Sequence, residues 1–211
     1  MINQLKFKDS DGCKMFITSD FHLNHNKSFI YYDRGYTSVE EHNNAVISKI
    51  NEVCRPCDIL FFLGDFCLNV THDQFLGFIN RINPRLYFLS GNHNSGWLKE
   101  YGKFCIDTFG HEAIGVQWLN KITYFGNYTE IYWNNQFVVL SHFPLLVFNN
   151  SKFGSWHLHG HCHGKLSSSL PEAQSGKILD VGWDVFKKPI DFAELKAIMD
   201  SKQKKSNDNL H

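Results

Sequence analysis

Short apolar runs, each closed by a polar cluster, alternate with amphipathic stretches along the first half of the chain. Lys14 to Ser19 is rich in strand formers and ends in Asp20-Phe21-His22. Tyr31 to Tyr36, which holds Arg34, reads as irregular. Ser38-Val39-Glu40-Glu41 fits a capping box, and Val39, Val46, Ile47, Ile50 and Val53 follow at helical spacing, so a helix is predicted there. Asp58 to Leu63 is a continuous apolar run of strand length, as in a strand buried on both faces, and it ends in Gly64-Asp65. Thr71 caps a second predicted helix, with Phe75, Phe78, Ile79 and Ile82 on one face and Pro84 as its stop. Leu86 to Leu89 is a further strand, ending in Gly91-Asn92-His93. This alternation predicts an α/β fold with βαβ units and a largely parallel sheet. In such sheets ligands bind beyond the carboxyl ends of the strands, where these polar clusters fall.

The second half reads differently. Ser95 to Lys103 is predicted as a short helix, and from Phe104 the helical pattern fades. Ile122 to Phe125, Glu130 to Trp133 and Gln136 to Leu140 read as strands, joined by turns at Gly126-Asn127 and Asn134-Asn135. The third of these ends in Ser141-His142-Phe143-Pro144. Ile178 to Gly182 is a last strand, and Asp191-Phe192-Ala193-Glu194 opens a final helix to about Asp200. No repeat or linker is visible, so residues 1–200 are expected to form one domain, with 201–211 a polar, frayed tail.

Composition narrows the function classes. Lys and Arg number 21 and Asp and Glu number 21, a balance that gives no electrostatic grip on long nucleic acid or an anionic membrane. Lys202, Lys204 and Lys205 read as part of a solvated tail. Met1 to Ser10 is polar and lacks a leader-like apolar run, and no apolar segment reaches membrane-spanning length, so the expectation is a cytoplasmic protein. The 6 cysteines are then expected as free thiols. Cys54-Arg55-Pro56-Cys57 has zinc-ligand spacing but no second pair to complete a site. These features assign no oligomeric state.

Histidine changes the picture. Trp156 to Gly164 places His157, His159, His161 and His163 at alternate positions between two glycines. Alternate side chains of an extended chain share a face, so His161 and His163 can converge on one point. Five strand ends together supply Asp20, His22, Asp65, Asn92, His93, His142, His161 and His163. Imidazoles mixed with carboxylate and amide oxygens suit two divalent transition-metal ions among manganese, iron, zinc, nickel and cobalt. His25 and Arg34 lie in the loop region after the first cluster, where an arginine fork suits phosphate, so both are candidate substrate contacts. Asn43 reads as structural, His159 as either a core residue or a support for a ligand imidazole, and His42, His72, His111 and His157 as structural or surface residues.

The ordered set Asp20-Phe21-His22, Gly64-Asp65, Gly91-Asn92-His93, His142 and Gly160-His161-Cys162-His163 resembles the signature of the calcineurin-like metallophosphoesterases. Ser19 to His25, Leu63 to Phe66, Leu140 to Leu145 and Leu179 to Asp184 look like a group of small bacterial and phage members. The resemblance implies a four-layer αββα sandwich of two mixed sheets flanked by helices. It implies one metal held by Asp20, His22, Asp65 and His163, and a second held by Asp65, Asn92, His142 and His161, with Asp65 bridging and manganese the expected ion. It further implies His93 as the catalytic, non-ligand histidine. The implied activity is hydrolysis of a phosphodiester or small nucleotide-type phosphate ester by in-line attack of a metal-bridging hydroxide. Asn94 stands where the family usually has an acidic residue, and Leu68 where purple acid phosphatases have a ligand tyrosine. The Asp and Arg that follow Gly-Asp in serine/threonine protein phosphatases are replaced by Phe66-Cys67-Leu68-Asn69. A nuclease on the same fold would need a basic surface that this chain lacks. A non-catalytic scaffold would not need every ligand type in place.

Overall fold

The computed structural model describes residues 5–10, 12–93, 116–118, 121–166 and 176–202. In chain order the strands are β1 (Leu5–Phe7), β2 (Met15–Thr18), β3 (Ile59–Phe62), β4 (Arg85–Phe88), β5 (Val116–Trp118), β6 (Ile122–Tyr124), β7 (Tyr128–Trp133), β8 (Gln136–Ser141), β9 (Trp156–His159), β10 (Ile178–Asp180) and β11 (Ile190–Asp191). The helices are α1 (Ser28–Tyr31), α2 (Val39–Val53), α3 (His72–Arg81), α4 (Trp183–Phe186) and α5 (Phe192–Ser201), with a 3-10 turn at Ser151–Phe153. None of the described helices is long and apolar enough to cross a membrane.

The protein is α/β, with two mixed sheets. One sheet has 6 strands in the order β11-β2-β3-β4-β6-β5, and the other has 5 in the order β1-β7-β8-β9-β10. β2, β3, β4 and β6 run parallel, and β11 and β5 lie antiparallel at the two edges. Side-chain alternation divides each strand between two layers of core. Met15, Ile17, Phe61 and Leu63 meet Ile131, Trp133, Val138, Leu140, Trp156 and Leu158 in a cluster shared by both sheets, which Leu195 and Met199 of α5 join. On the other face of the six-stranded sheet, Phe16, Leu60, Phe62, Leu86 and Phe88 pack under Val46, Ile47 and Ile50 of α2 and Phe75 and Ile79 of α3. The outer face of the five-stranded sheet carries Phe137, Val139 and Ile178, which pack with Phe148 and Leu145 from the loop after β8.

Local signals hold for the predicted helices. Ser38 accepts a hydrogen bond from Glu41 N, as an N-cap should. The Glu41 carboxylate turns to the amide and hydroxyl of Thr37, so the reciprocal half of the expected box is not made at Ser38. At α3 both halves are present, between Thr71 and Gln74. Asp191 caps α5 through the amides of Ala193 and Glu194.

The second half departs from its prediction. Gly126-Asn127 is not a hairpin turn: β6 pairs with β4 and β5, β7 pairs with β1 and β8, and the chain crosses here between sheets. Asn134 and Asn135 do turn a hairpin, with φ of 48° and 67° as a primed turn requires. β8, β9 and β10 then run parallel, so this half is not rich in hairpins. β1 lies within the segment read as merely polar, where Leu5 and Phe7 alternate with lysines and no continuous apolar run marks a strand. The helix predicted at Ser95 to Lys103, Asn94, and the tail beyond Lys202 fall outside the described residues.

Candidate metal centre

Parallel strands bring their carboxyl ends together, and backbone bonds then lace the loops beyond them. Asp20 N donates to Gly64 O, His22 N to Asp65 O, Leu23 N to Phe66 O and Gly160 N to His142 O. Two close approaches depend on glycine. A Cβ on Gly91 would stand 2.1 Å from Asp65 Oδ1, and one on Gly160 would stand 2.2 Å from Ser19 Oγ. The site backbone itself is unusual: Asp20, His22, Asp65, His161 and His163 have φ of 61°, 53°, 60°, 69° and 50°. A left-handed conformation at a non-glycine residue costs on the order of 1–2 kcal/mol, and such strain gathers at sites where geometry serves function.

Two groups of donors result. In the first, His22 Nε2 lies 3.3 Å from His163 Nε2 and 3.9 Å from Asp20 Oδ1. In the second, Asn92 Oδ1 lies 2.8 Å from His142 Nε2 and 2.9 Å from His161 Nδ1. Asp65 stands between them, with Oδ2 3.8 Å from His22 Nε2 and 3.4 Å from His142 Nε2. Asp65 Oδ1 accepts the backbone amide of His93 at 2.7 Å, which leaves one oxygen facing both groups. Metal–nitrogen bonds of ~2.0–2.1 Å place neighbouring ligand atoms ~3.0–3.4 Å apart, close to the separations seen within each group.

Hydrogen bonds on the far ring atoms set which nitrogens face inward. His142 Nδ1 donates to Leu63 O at 2.8 Å, and His163 Nδ1 donates to Asp184 Oδ2 at 2.5 Å. Each neutral ring therefore turns an Nε2 lone pair into the site. Asp20 supplies a direct test of fit for a cation. Its Oδ2 accepts from Ser19 Oγ and from His161 N, yet its Oδ1 is buried without a hydrogen-bond partner among the described residues. Buried polar atoms are almost always paired. An orphaned carboxylate oxygen among imidazole lone pairs fits a bound cation, and so does a donor set of nitrogen and hard oxygen without thiolate.

Without a cation, the electrostatics are costly. Burial pushes the Asp20 carboxyl up to about 6 and pushes His22 down to about 2. Burial also acts to raise Asp65, but the hydrogen bond and charge of His142 bring it below the usual carboxylate range. His142 responds in turn: burial lowers it, and Asp65 carries it net upward.

The other predicted residues divide. His93 is exposed at the rim, with its ring 5.7 Å from that of His22 and 5.9 Å from that of His25. His25 is buried, with Nδ1 3.4 Å from His22 Nδ1, on the side of that ring away from His163. Arg34 does not sit where a substrate contact was expected. Its guanidinium donates from Nε and NH2 to Asp184, from NH2 to Asp20 O, from NH1 to Phe21 O and from NH1 to His42 Nε2. All five N–H donors are thus used within the protein, and the side chain is only 3% exposed. His159 donates to Gly160 O, and His157 accepts from Leu145 N, so both support backbone. Asn43 accepts from Asn24 N, a structural role as read from the sequence. Cys54 and Cys57 are free thiols, the first buried and the second exposed. Asp184 ends the Leu179 to Asp184 stretch of the family resemblance, but no spacing rule links it to His163, 21 residues away in the chain.

No family model matches this chain. An uncharacterized protein of Methanocaldococcus jannaschii, MJ1445, is 27% identical over 159 residues, which cover 75% of this chain and 74% of that protein. The crystal structure of AQ665, a protein of unknown function from Aquifex aeolicus, matches with a TM-score of 0.61 at 18% identity, over 88% of this chain and 99% of that one. At that identity the likeness is one of fold.

Proposed function

We propose that this chain is a dinuclear metal-dependent phosphoesterase acting on a phosphodiester or a small nucleotide-type phosphate ester. The reading takes the two sheets as the core of the αββα sandwich of the calcineurin-like metallophosphoesterases, with α2 and α3 as one outer layer. The observation that carries it is the buried, unpartnered Asp20 Oδ1 within a ring of inward-facing lone pairs. Asp20, His22 and His163 would hold one ion, and Asn92, His142 and His161 the other, with Asp65 Oδ2 shared.

When bound, two such ions supply a water of lowered pKa and neutralise charge that grows on the phosphoryl oxygens. The chain's own residues do the rest. Asp65 fixes the distance between the two donor groups and is itself held by His93 N. The His93 ring, exposed beside His22, would give a proton to the leaving oxygen. Phe143, 49% exposed, lies with its ring centroid 4.6 Å from that of His161 at a tilted angle of 58°.

The test is hydrolysis of bis-p-nitrophenyl phosphate and p-nitrophenyl phosphate by metal-stripped protein, with manganese, nickel, cobalt, zinc, iron and magnesium restored singly. Metal-dependent release of nitrophenol supports the reading. No turnover by a protein that holds two ions per chain would move it to a non-catalytic metal-binding role.

A further inference from the structure

Asp184 lies at the start of α4 and is reached by donors from three directions. Oδ2 accepts from His163 Nδ1 at 2.5 Å and from Arg34 NH2 at 2.7 Å. Oδ1 accepts from Arg34 Nε at 2.9 Å and from Lys187 Nζ at 3.2 Å. Four donors fill the acceptor sites of one carboxylate. Arg34 spends its remaining donors on the carbonyls of Asp20 and Phe21 and on His42. One ion pair therefore joins the left-handed turn that carries Asp20 and His22 to the imidazole that faces them from 141 residues away.

We infer that Asp184 is a positioning residue for one of the two ion sites. It holds the His163 ring so that Nε2 faces His22 Nε2, and Arg34 locks it in register with Asp20. The inference rests on the metal reading above. Asp184 touches the His163 ring at Nδ1, and carboxylate can only accept there, so the tautomer of His163 follows from Asp184. Among the described residues no carboxylate reaches an imidazole of the second group in this way. His142 is oriented by the carbonyl of Leu63, and the inward nitrogens of His142 and His161 meet Asn92. Asp184 should therefore act on one ion and not on the other.

The experiment is calorimetric titration of the metal-stripped full chain with manganese, and in parallel with cobalt, read by its absorption bands. For Asp184→Asn, one of two ions is expected to bind about 10–100-fold more weakly, the usual cost of losing such a support, while the other keeps its native affinity. In a His163→Ala background, Asp184→Asn is expected to cost clearly less than it does alone, because its direct contact with a ligand imidazole is gone. Native affinity for both ions in Asp184→Asn, or an equal added loss in the His163→Ala background, overturns the inference and leaves Asp184 a structural partner of Arg34. Where Asp184→Asn fails to fold, nitrogen NMR of the native metal-free protein decides: an Nδ1-protonated His163 is expected, and an Nε2-protonated one overturns it. Native protein that binds no divalent ion overturns the metal reading itself, and this inference with it.

Discussion

His22 and His163 stand 141 residues apart in the chain, yet their Nε2 atoms lie 3.3 Å apart and their rings stack at 5.0 Å. His163 donates through Nδ1 to Asp184, so a neutral ring has no proton left for this contact. Two lone pairs at that distance repel, and only a proton or a cation between them makes the contact favourable. Behind them, Asp20 adds a buried oxygen with no donor.

Asp20→Asn should separate the cost of this arrangement from its use. The raised carboxyl means that the folded, metal-free chain binds a proton more tightly than the unfolded one between about pH 6 and the unfolded value near 4. Metal-free stability should therefore rise as pH falls through that window. At neutral pH the penalty is on the order of 3 kcal/mol. Metal-free Asp20→Asn is expected to melt above the metal-free native chain, and to gain less on adding manganese. A variant that melts lower without metal would remove the charge-burial argument.

His93→Ala and Asp65→Ala should fail in different ways. The contact from His93 to Asp65 uses the backbone amide, so it survives truncation of the ring. His93→Ala is expected to keep both ions and lose ~10²–10⁴ in rate, the range for general acid catalysis. Asp65→Ala is expected to lose metal. Metal content measured beside turnover distinguishes them, and metal loss in His93→Ala would reassign that residue.

Arg34→Lys keeps the charge but not the fork. Truncating one partner of a buried ion pair costs about 3–5 kcal/mol, and a lysine cannot reach Asp184 and the two carbonyls together. The expected result is a lower melting temperature and weaker metal binding, with KM for the nitrophenyl substrates little changed. A raised KM with intact metal content would restore Arg34 as a substrate contact.

His157 is expected to add acid sensitivity away from the site. It is fully buried, accepts from Leu145 N and faces Val139 O, and burial pushes it down to about 3. The unfolded chain takes up a proton near pH 6.5 that the folded chain refuses until far lower. Stability from this residue is therefore lost as pH falls below about 6.5, by up to ~1.4 kcal/mol per pH unit. His157→Gln, which keeps an acceptor for Leu145, should flatten the slope of melting temperature against pH between 6.5 and 4. An unchanged slope would mean that His157 titrates normally.

The apolar runs and caps made β2, β3, β4, α2, α3 and α5 legible, because each depends on residues within one turn or one strand. The polar cluster at each strand end was legible for the same reason: parallel strands flanked by helices leave their carboxyl ends as the place where loops meet. β1 and β5, of three residues each, lie in stretches without the apolar run that marked the equally short β6 and β10.

What the sequence determined by itself was which residue types stand at which strand ends, since hydrophobic period and turn chemistry are local. Tertiary structure alone decided how they combine. It sent the chain across between sheets at Gly126-Asn127, where the residues permit a hairpin equally well, because β6 finds β4 and β7 finds β1. It left one oxygen of Asp65 to face both donor groups, because the amide of His93 takes the other. It also turned Arg34 inward to Asp184, 150 residues on, where burial and five matched acceptors outweigh the solvation of an exposed guanidinium. Partners so distant in the chain leave no spacing to read, and their meeting depends on how the two sheets pack.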